Sequence, residues 1–141
     1  MRLSAHEARA RFAASRVARL ATVSGSGVPH LVPVTFAVSG PGVPDEIVFA
    51  VDHKPKSTTA LRRLANIAEN PVVSFLADVY ADDWSRLWWA RADGTARIIT
   101  GDARAERVAW LVAKYPQYAA HPPEHAVVST VVTSWHGWSA S

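Results

Sequence analysis

Val17-Ala18-Arg19-Leu20-Ala21-Thr22-Val23, then Ser24-Gly25-Ser26-Gly27, then Val28-Pro29-His30-Leu31-Val32-Pro33-Val34-Thr35-Phe36-Ala37-Val38 reads as two strands joined by a hairpin turn. The second strand, Val28 to Val38, is interrupted twice. Pro29 and Pro33 each remove a ladder N–H, so this strand belongs at a sheet edge or at a bulge.

The pattern continues outward on both sides. Before the hairpin, Ser4-Ala5-His6-Glu7 has capping-box spacing and opens an Ala/Arg-rich helix to about Arg16. After it, Gly40 to Pro44 is a loop and Glu46 to Val51 a third strand. The polar run Asp52 to Thr59 leads into a helix whose apolar face is Leu61, Leu64 and Ile67/Ala68, and Asn70-Pro71 stops it. Val72 to Val79 is a fourth strand. Leu87 to Ala92 and Ala96 to Thr100 flank Asp93-Gly94, a hairpin signal. Asp102 caps a helix to about Tyr115, 116–125 is loop, and Ala126 to Trp135 is the last strand. Short turns between most strands imply a mainly antiparallel sheet with peripheral helices. Seven strands in so short a chain imply a closed or split barrel.

Composition bounds the rest. The 141 residues fit a single domain, 1–141, and 49% hydrophobic content is enough to bury a core. No apolar run is long enough to span a bilayer and no secretory signal is visible, so a soluble, cytoplasmic protein without membrane contact is expected. Absent cysteine excludes disulfides, a thiolate nucleophile and Cys-ligated metal. The histidines lack metal-ligand spacing, and no metal site is expected. No Gly-x-Ser-x-Gly elbow is present either. A net charge of +3 with acids scattered among the arginines favours anionic ligands in general; nucleic acid is not expected as a partner. Six tryptophans exceed what one small core needs and point to a ligand site or a subunit interface.

Two of the three lysines fall in Lys54-Pro55-Lys56-Ser57-Thr58-Thr59, between a strand end and a helix start. Ammonium groups, hydroxyls and free helix N–H groups together suit a phosphate. The same pattern also suits a solvated loop with a Ser/Thr cap. With no self-sufficient catalytic group in sight, an enzyme built on this chain must take its chemistry from a cofactor.

Three blocks resemble a known family. They are Arg19 to Val23 with Gly27 to Phe36, then Lys54 to Ser57 with Leu61 to Leu64 and Asn70 to Ser74, then Asp82 to Trp89 with Asp93 to Ala96. In this order, over about residues 10–101, they resemble the flavin/deazaflavin oxidoreductases with a pyridoxamine-phosphate-oxidase-like, FMN-binding split barrel. The tryptophan-rich third block is most similar to the actinobacterial subgroup that uses coenzyme F420. The resemblance implies an F420-dependent oxidoreductase, with FMN as the alternative cofactor and a non-enzymatic binder of an aromatic ligand as the alternative function. It implies a homodimer with two sites at the subunit interface and a small-molecule substrate. His30, Val32, Pro33, Val34 and Thr35 would lie along the ring system, and Lys54, Lys56 and Ser57 would hold the phosphate. Trp84 and Trp88 would approach from the same or the other subunit. Thr133-Ser134-Trp135-His136-Gly137-Trp138 contains no Arg or Lys, a departure from pyridoxamine phosphate oxidases that turns the expectation toward a neutral, apolar or aromatic substrate.

Overall fold

The structure, a computed structural model, describes residues 1–51 and 58–141. Its strands are β1 (Ala18–Val23), β2 (Pro29–Val34), β3 (Ala37–Val38), β4 (Glu46–Ala50), β5 (Val72–Val79), β6 (Trp88–Ile99) and β7 (Val127–Ser139). Its helices are α1 (Ala5–Ala14), α2 (Thr58–Glu69), α3 (Arg104–Lys114) and α4 (Pro116–Ala120). All seven strands join one sheet in the order β2-β1-β5-β6-β7-β4-β3, and every pairing is antiparallel. The two edge strands, β2 and β3, are consecutive in the chain with only Thr35 and Phe36 between them. A sheet whose opposite edges are tied by two residues must curl until those edges approach, which gives the expected split barrel. No described helix is long and apolar enough to cross a membrane.

Strand alternation fills the barrel. Ala18, Leu20 and Thr22 of β1, and Val73, Phe75 and Ala77 of β5, turn inward, while Arg19, Leu76 and Asp78 face out. Small inward residues on β6, Ala90 and Ala92, leave room for α1 to insert Phe12. The Phe12 ring meets Phe36 at 4.6 Å, Trp135 at 5.4 Å and Phe75 at 6.3 Å. Trp135 is half-buried and packs against this core, with its Nε1 donating to Asp45 Oδ2 at 2.9 Å. The capping box of α1 is formed: Glu7 N–H donates to Ser4 Oγ and Ser4 N–H to Glu7 Oε1.

Several boundaries differ from the sequence reading. Asp93-Gly94 is no hairpin turn: β6 runs unbroken through it, with a register shift against β7 at that step. Gly94 has an ordinary φ; its value is its missing side chain, because a Cβ there would collide with the Val131 carbonyl oxygen. The strand expected over 28–38 breaks at Thr35-Phe36 because the Phe36 N–H donates to the Tyr115 hydroxyl, 3.0 Å away. Asp102 does not cap α3, which starts at Arg104 after a 3-10 turn. The expected loop 116–125 contains α4, with Pro116 in its first turn, where a missing N–H costs nothing.

Candidate functional site

The corner where β2 gives way to β3 is where chemistry-bearing groups from four segments meet. Among the described residues β2 pairs with β1 alone, so its other side has no strand partner there. An edge position is what its two prolines required. A cavity of about 210 Å³ opens there, lined by Pro33, Val34 and Thr35, by Phe49, Ala50 and Val51 at the end of β4, by Arg63 of α2 and by Tyr118 of α4. Thr35 Oγ1 and the Tyr118 hydroxyl share a hydrogen bond of 3.3 Å. The Arg63 guanidinium lies over the Phe49 ring, 5.5 Å from its centre.

The helix pair α3–α4 holds this corner in place. Tyr115 donates its hydroxyl proton to the Arg16 carbonyl (2.8 Å) while accepting from the Phe36 N–H. Lys114 reaches across to the C-terminal end of α1, where its ammonium donates to the Ala13 and Ser15 carbonyls at 3.2 and 2.7 Å. It sits 3.7 Å from the centre of the Phe36 ring. A cation at a helix C-terminus is favourable, but burial, helped by the nearby Arg16 charge, pushes the Lys114 amine down from 10.5 to about 8.

This shift predicts a pH dependence of stability. Below pH 8 the amine is protonated in both folded and unfolded chains. Between about 8 and 10.5 the unfolded chain holds the extra proton, so the folded state gains with rising pH. Burial also raises the Tyr115 hydroxyl, so unfolded tyrosinate forms first above its ordinary value of 10 and opposes the gain. Urea titrations should show stability rising by about 1–2 kcal/mol from pH 8 to 10, allowing for solvent screening. Lys114→Met should flatten the rise; a rise of the same size in the variant would remove Lys114 as its source.

Of the residues singled out in the sequence, Pro33, Val34 and Thr35 come together at this cavity. His30 and Val32, on the same strand, turn their side chains toward the barrel interior: Val32 packs on the main core, and His30 Nδ1 is buried with no hydrogen-bond partner among the described residues. Lys54, Lys56 and Ser57 lie outside the described residues, between the Val51 and Arg63 walls of the cavity in sequence. Trp84 and Trp88 do not line the corner. Trp84 is 77% exposed. Trp88 packs against the core with Arg11 5.5 Å over its ring, and lines a separate cavity with Arg16 and Arg19. Arg63 and Tyr118 are site residues that sequence reasoning missed. Only their surroundings carried a signal, a helix following the basic segment and a tyrosine in a proline-containing loop.

A larger open groove of about 630 Å³ runs over the outer face of β2, β1, β5 and β6. Arg19, directly opposite Pro33 in the β1–β2 register, lines it together with Leu31, Leu76, Tyr80 and Trp89. Leu31 and Tyr80 are 68% and 65% exposed, so this face is unusually apolar for one in contact with water.

Known proteins share this architecture. No curated protein matches the chain in sequence. Among solved structures, a conserved hypothetical protein from Mycobacterium tuberculosis is similar with a TM-score of 0.73 and 24% identity, over 98% of this chain and 86% of the other. A protein from Mesorhizobium loti described as FAD-binding aligns with a TM-score of 0.73 and 19% identity, over 97% and 95%. The FAD binding protein from Mycobacterium smegmatis aligns with a TM-score of 0.64 and 21% identity, over 98% and 97%. At such identities the likeness is one of fold. The sequence pattern of the pyridoxamine 5'-phosphate oxidase family, by contrast, matches residues 4–138, from the α1 cap to the second-to-last residue of β7. Strand order, edge prolines and that match agree, and the chain belongs to the pyridoxamine 5'-phosphate oxidase family.

Proposed function

We propose that the chain is an oxidoreductase that holds a tricyclic flavin-type cofactor, coenzyme F420 or FMN, along the end of β2 and transfers hydride between it and a small organic substrate. The observation that carries this reading is the corner cavity: an unpartnered edge strand without an N–H at Pro33, two hydroxyls at Thr35 and Tyr118, and the Arg63 cation, adjoining the Lys54–Ser57 segment in sequence. Planar ring, polar ring edge and anionic tail each find a matching group there. Family membership and the two relatives described as FAD-binding support the cofactor class.

When bound, the cofactor supplies the hydride-carrying ring; the chain's own part is to bind, orient and exclude water. Lys54, Lys56, Ser57 and Arg63 would hold the anionic end. The backbone from His30 to Thr35 would hold the ring, and the Thr35 and Tyr118 hydroxyls would offer hydrogen bonds to its polar groups. Any proton required comes from solvent or from Thr35 Oγ1.

The cavity is smaller than the usual few hundred cubic ångströms of a cofactor site, so one chain furnishes only part of the enclosure. We assign the remaining wall to a second copy in a twofold dimer, and give Trp84 and Trp88 to the other chain's site. The exposed apolar groove around Leu31 supports this assembly.

Titrating apo-protein with F420, FMN and FAD tests the proposal. Tight binding of F420 alone assigns the deazaflavin, tight binding of a flavin assigns that cofactor, and failure of all three overturns the reading. Lys56→Ala and Arg63→Gln should each weaken binding by about 1–3 kcal/mol, the range for hydrogen bonds to charged groups. Light scattering that shows a monomer at micromolar concentration with full affinity would defeat the shared site.

A further inference from the structure

Away from the corner, the outer face of the sheet ends in a compact block of aromatic and cationic side chains. In the β6–β7 register Trp89 stands opposite Trp138, and Arg91 opposite His136. All four are on the outward face, where directly opposed side chains are close neighbours. A second arginine comes from the far end of the chain: Arg2 bridges to Trp138, fixed by the Leu3 N–H donating to the Gly137 carbonyl (3.0 Å) and the Ser139 N–H to the Met1 carbonyl (2.9 Å). Gly137 makes this possible, since a Cβ there would come within 2.9 Å of Leu3 Cδ1 and the Trp89 carbonyl. Together these residues line a cavity of about 410 Å³, within the range of small-ligand sites. The Thr133–Trp138 stretch has no Lys or Arg of its own; the fold brings Arg2 and Arg91 to it.

The charges select the ligand. Arg91 spends its Nε on Asp93, at 3.1 Å, and its guanidinium lies 5.8 Å from the centre of the Trp89 ring. Its two terminal nitrogens meet no acceptor among the described residues and remain for a carboxylate. Asp93 stays ionised: burial raises its carboxyl, but hydrogen bonds from Ser74, Ser134 and Arg91 and the Arg91 charge outweigh that and hold it low. Its Oδ2 is also 4.0 Å from His136 Nε2. Arg2 and Arg91 against Asp93 leave one net positive charge, which a monoanion balances and a phosphate dianion exceeds. Two indoles beside that charge suit a flat ring.

We propose that this block is a binding site for planar aromatic monocarboxylates, with Arg2 and Arg91 on the carboxylate and Trp89 and Trp138 on the ring. It uses none of the residues that line the cofactor corner, and two of its own, Trp89 and Arg91, also border the groove assigned above to the dimer.

Calorimetry with 2-naphthoate and its neutral methyl ester tests the site. The acid should bind one per chain, at least about tenfold more tightly than the ester. Arg91→Gln and Arg2→Gln should each weaken the acid about tenfold and leave the ester unchanged, and Arg2→Lys should recover most of the loss. Arg2 is exposed, so Arg2→Gln should also leave the melting temperature in place and exclude misfolding as the cause. Saturating FMN should not displace the acid. Equal affinity for acid and ester, charge variants within twofold of wild type, or displacement by FMN would each overturn the site.

Discussion

Gly94→Ala should destabilise the protein by roughly 3 kcal/mol, lowering the melting temperature by about 10 °C, because the new methyl meets backbone that has nowhere to go. The added Cβ would fall inside the Val131 carbonyl oxygen and only 2.7 Å from Thr130 Cγ2, and Thr130 is itself fully buried. A flexible side-chain tip would swing away; a carbonyl in the β6–β7 ladder can move only by spreading the two longest strands of the barrel. Gly94→Asn separates this account from the turn that Asp93-Gly94 suggests in sequence. A hairpin turn with positive φ tolerates Asn better than Ala. At a close backbone approach Asn is no better than Ala. Thermal melts of both variants decide it: a milder loss for Asn than for Ala would restore the turn.

Local signals in the sequence carried most of the architecture. Val72 to Val79 has the bounds expected of it, and the Ser4–Glu7 capping box forms as written. The edge position of β2 followed from two missing N–H groups, a local property that no distant residue can restore. Misreadings arose where distant groups outvoted local ones. Asp93-Gly94 became a bulge because β7 supplies a partner on the far side, and Asp93 finds Ser74 and Ser134 on both neighbouring strands. The 28–38 strand broke because Tyr115, 79 positions from Phe36, takes its N–H. The candidate site divides in the same way. Pro33 to Thr35 were legible as an interrupted edge strand, whereas Lys54 to Ser57, legible as a charge cluster, lie outside the described residues. Arg63 and Tyr118 carry no local pattern, and only folding shows that they share a cavity with Pro33. The tryptophans divide, with Trp135 packed against the core and Trp84 exposed.

Arg107→Ala should cost about 3 kcal/mol at neutral pH, the lower end for breaking a largely buried ion pair, because it strands Glu46 without its counter-charge. Arg107 and Glu46 have side chains only 13% and 12% exposed, and Arg107 donates to Glu46 Oε1 from Nη2 at 2.8 Å and from Nε at 3.2 Å. Ser129 donates a further short hydrogen bond to the same oxygen. Burial alone would raise the Glu46 carboxyl; the hydrogen bonds from Ser129 and Arg107 and the Arg107 charge outweigh it and hold the carboxyl below 4.5. In the wild type this pair therefore adds stability at pH values above the unfolded carboxyl range and loses it as pH falls through the folded value. In Arg107→Ala the carboxyl loses that support and is no longer held as low. The variant's deficit is therefore full at pH 7 and shrinks as acid protonates Glu46. Pairing Arg107→Met with Glu46→Gln removes both charges, and the double variant should recover much of the loss. The pair joins α3 to the β4–β7 ladder, and α3 carries Lys114 and leads into Tyr115 and Tyr118. Loosening it should therefore weaken cofactor binding at the corner as well as stability. Urea titrations of both variants at pH 4 and pH 7 test the pair. A deficit of equal size at both pH values would show that Arg107 acts through packing alone, and the charge argument would be wrong.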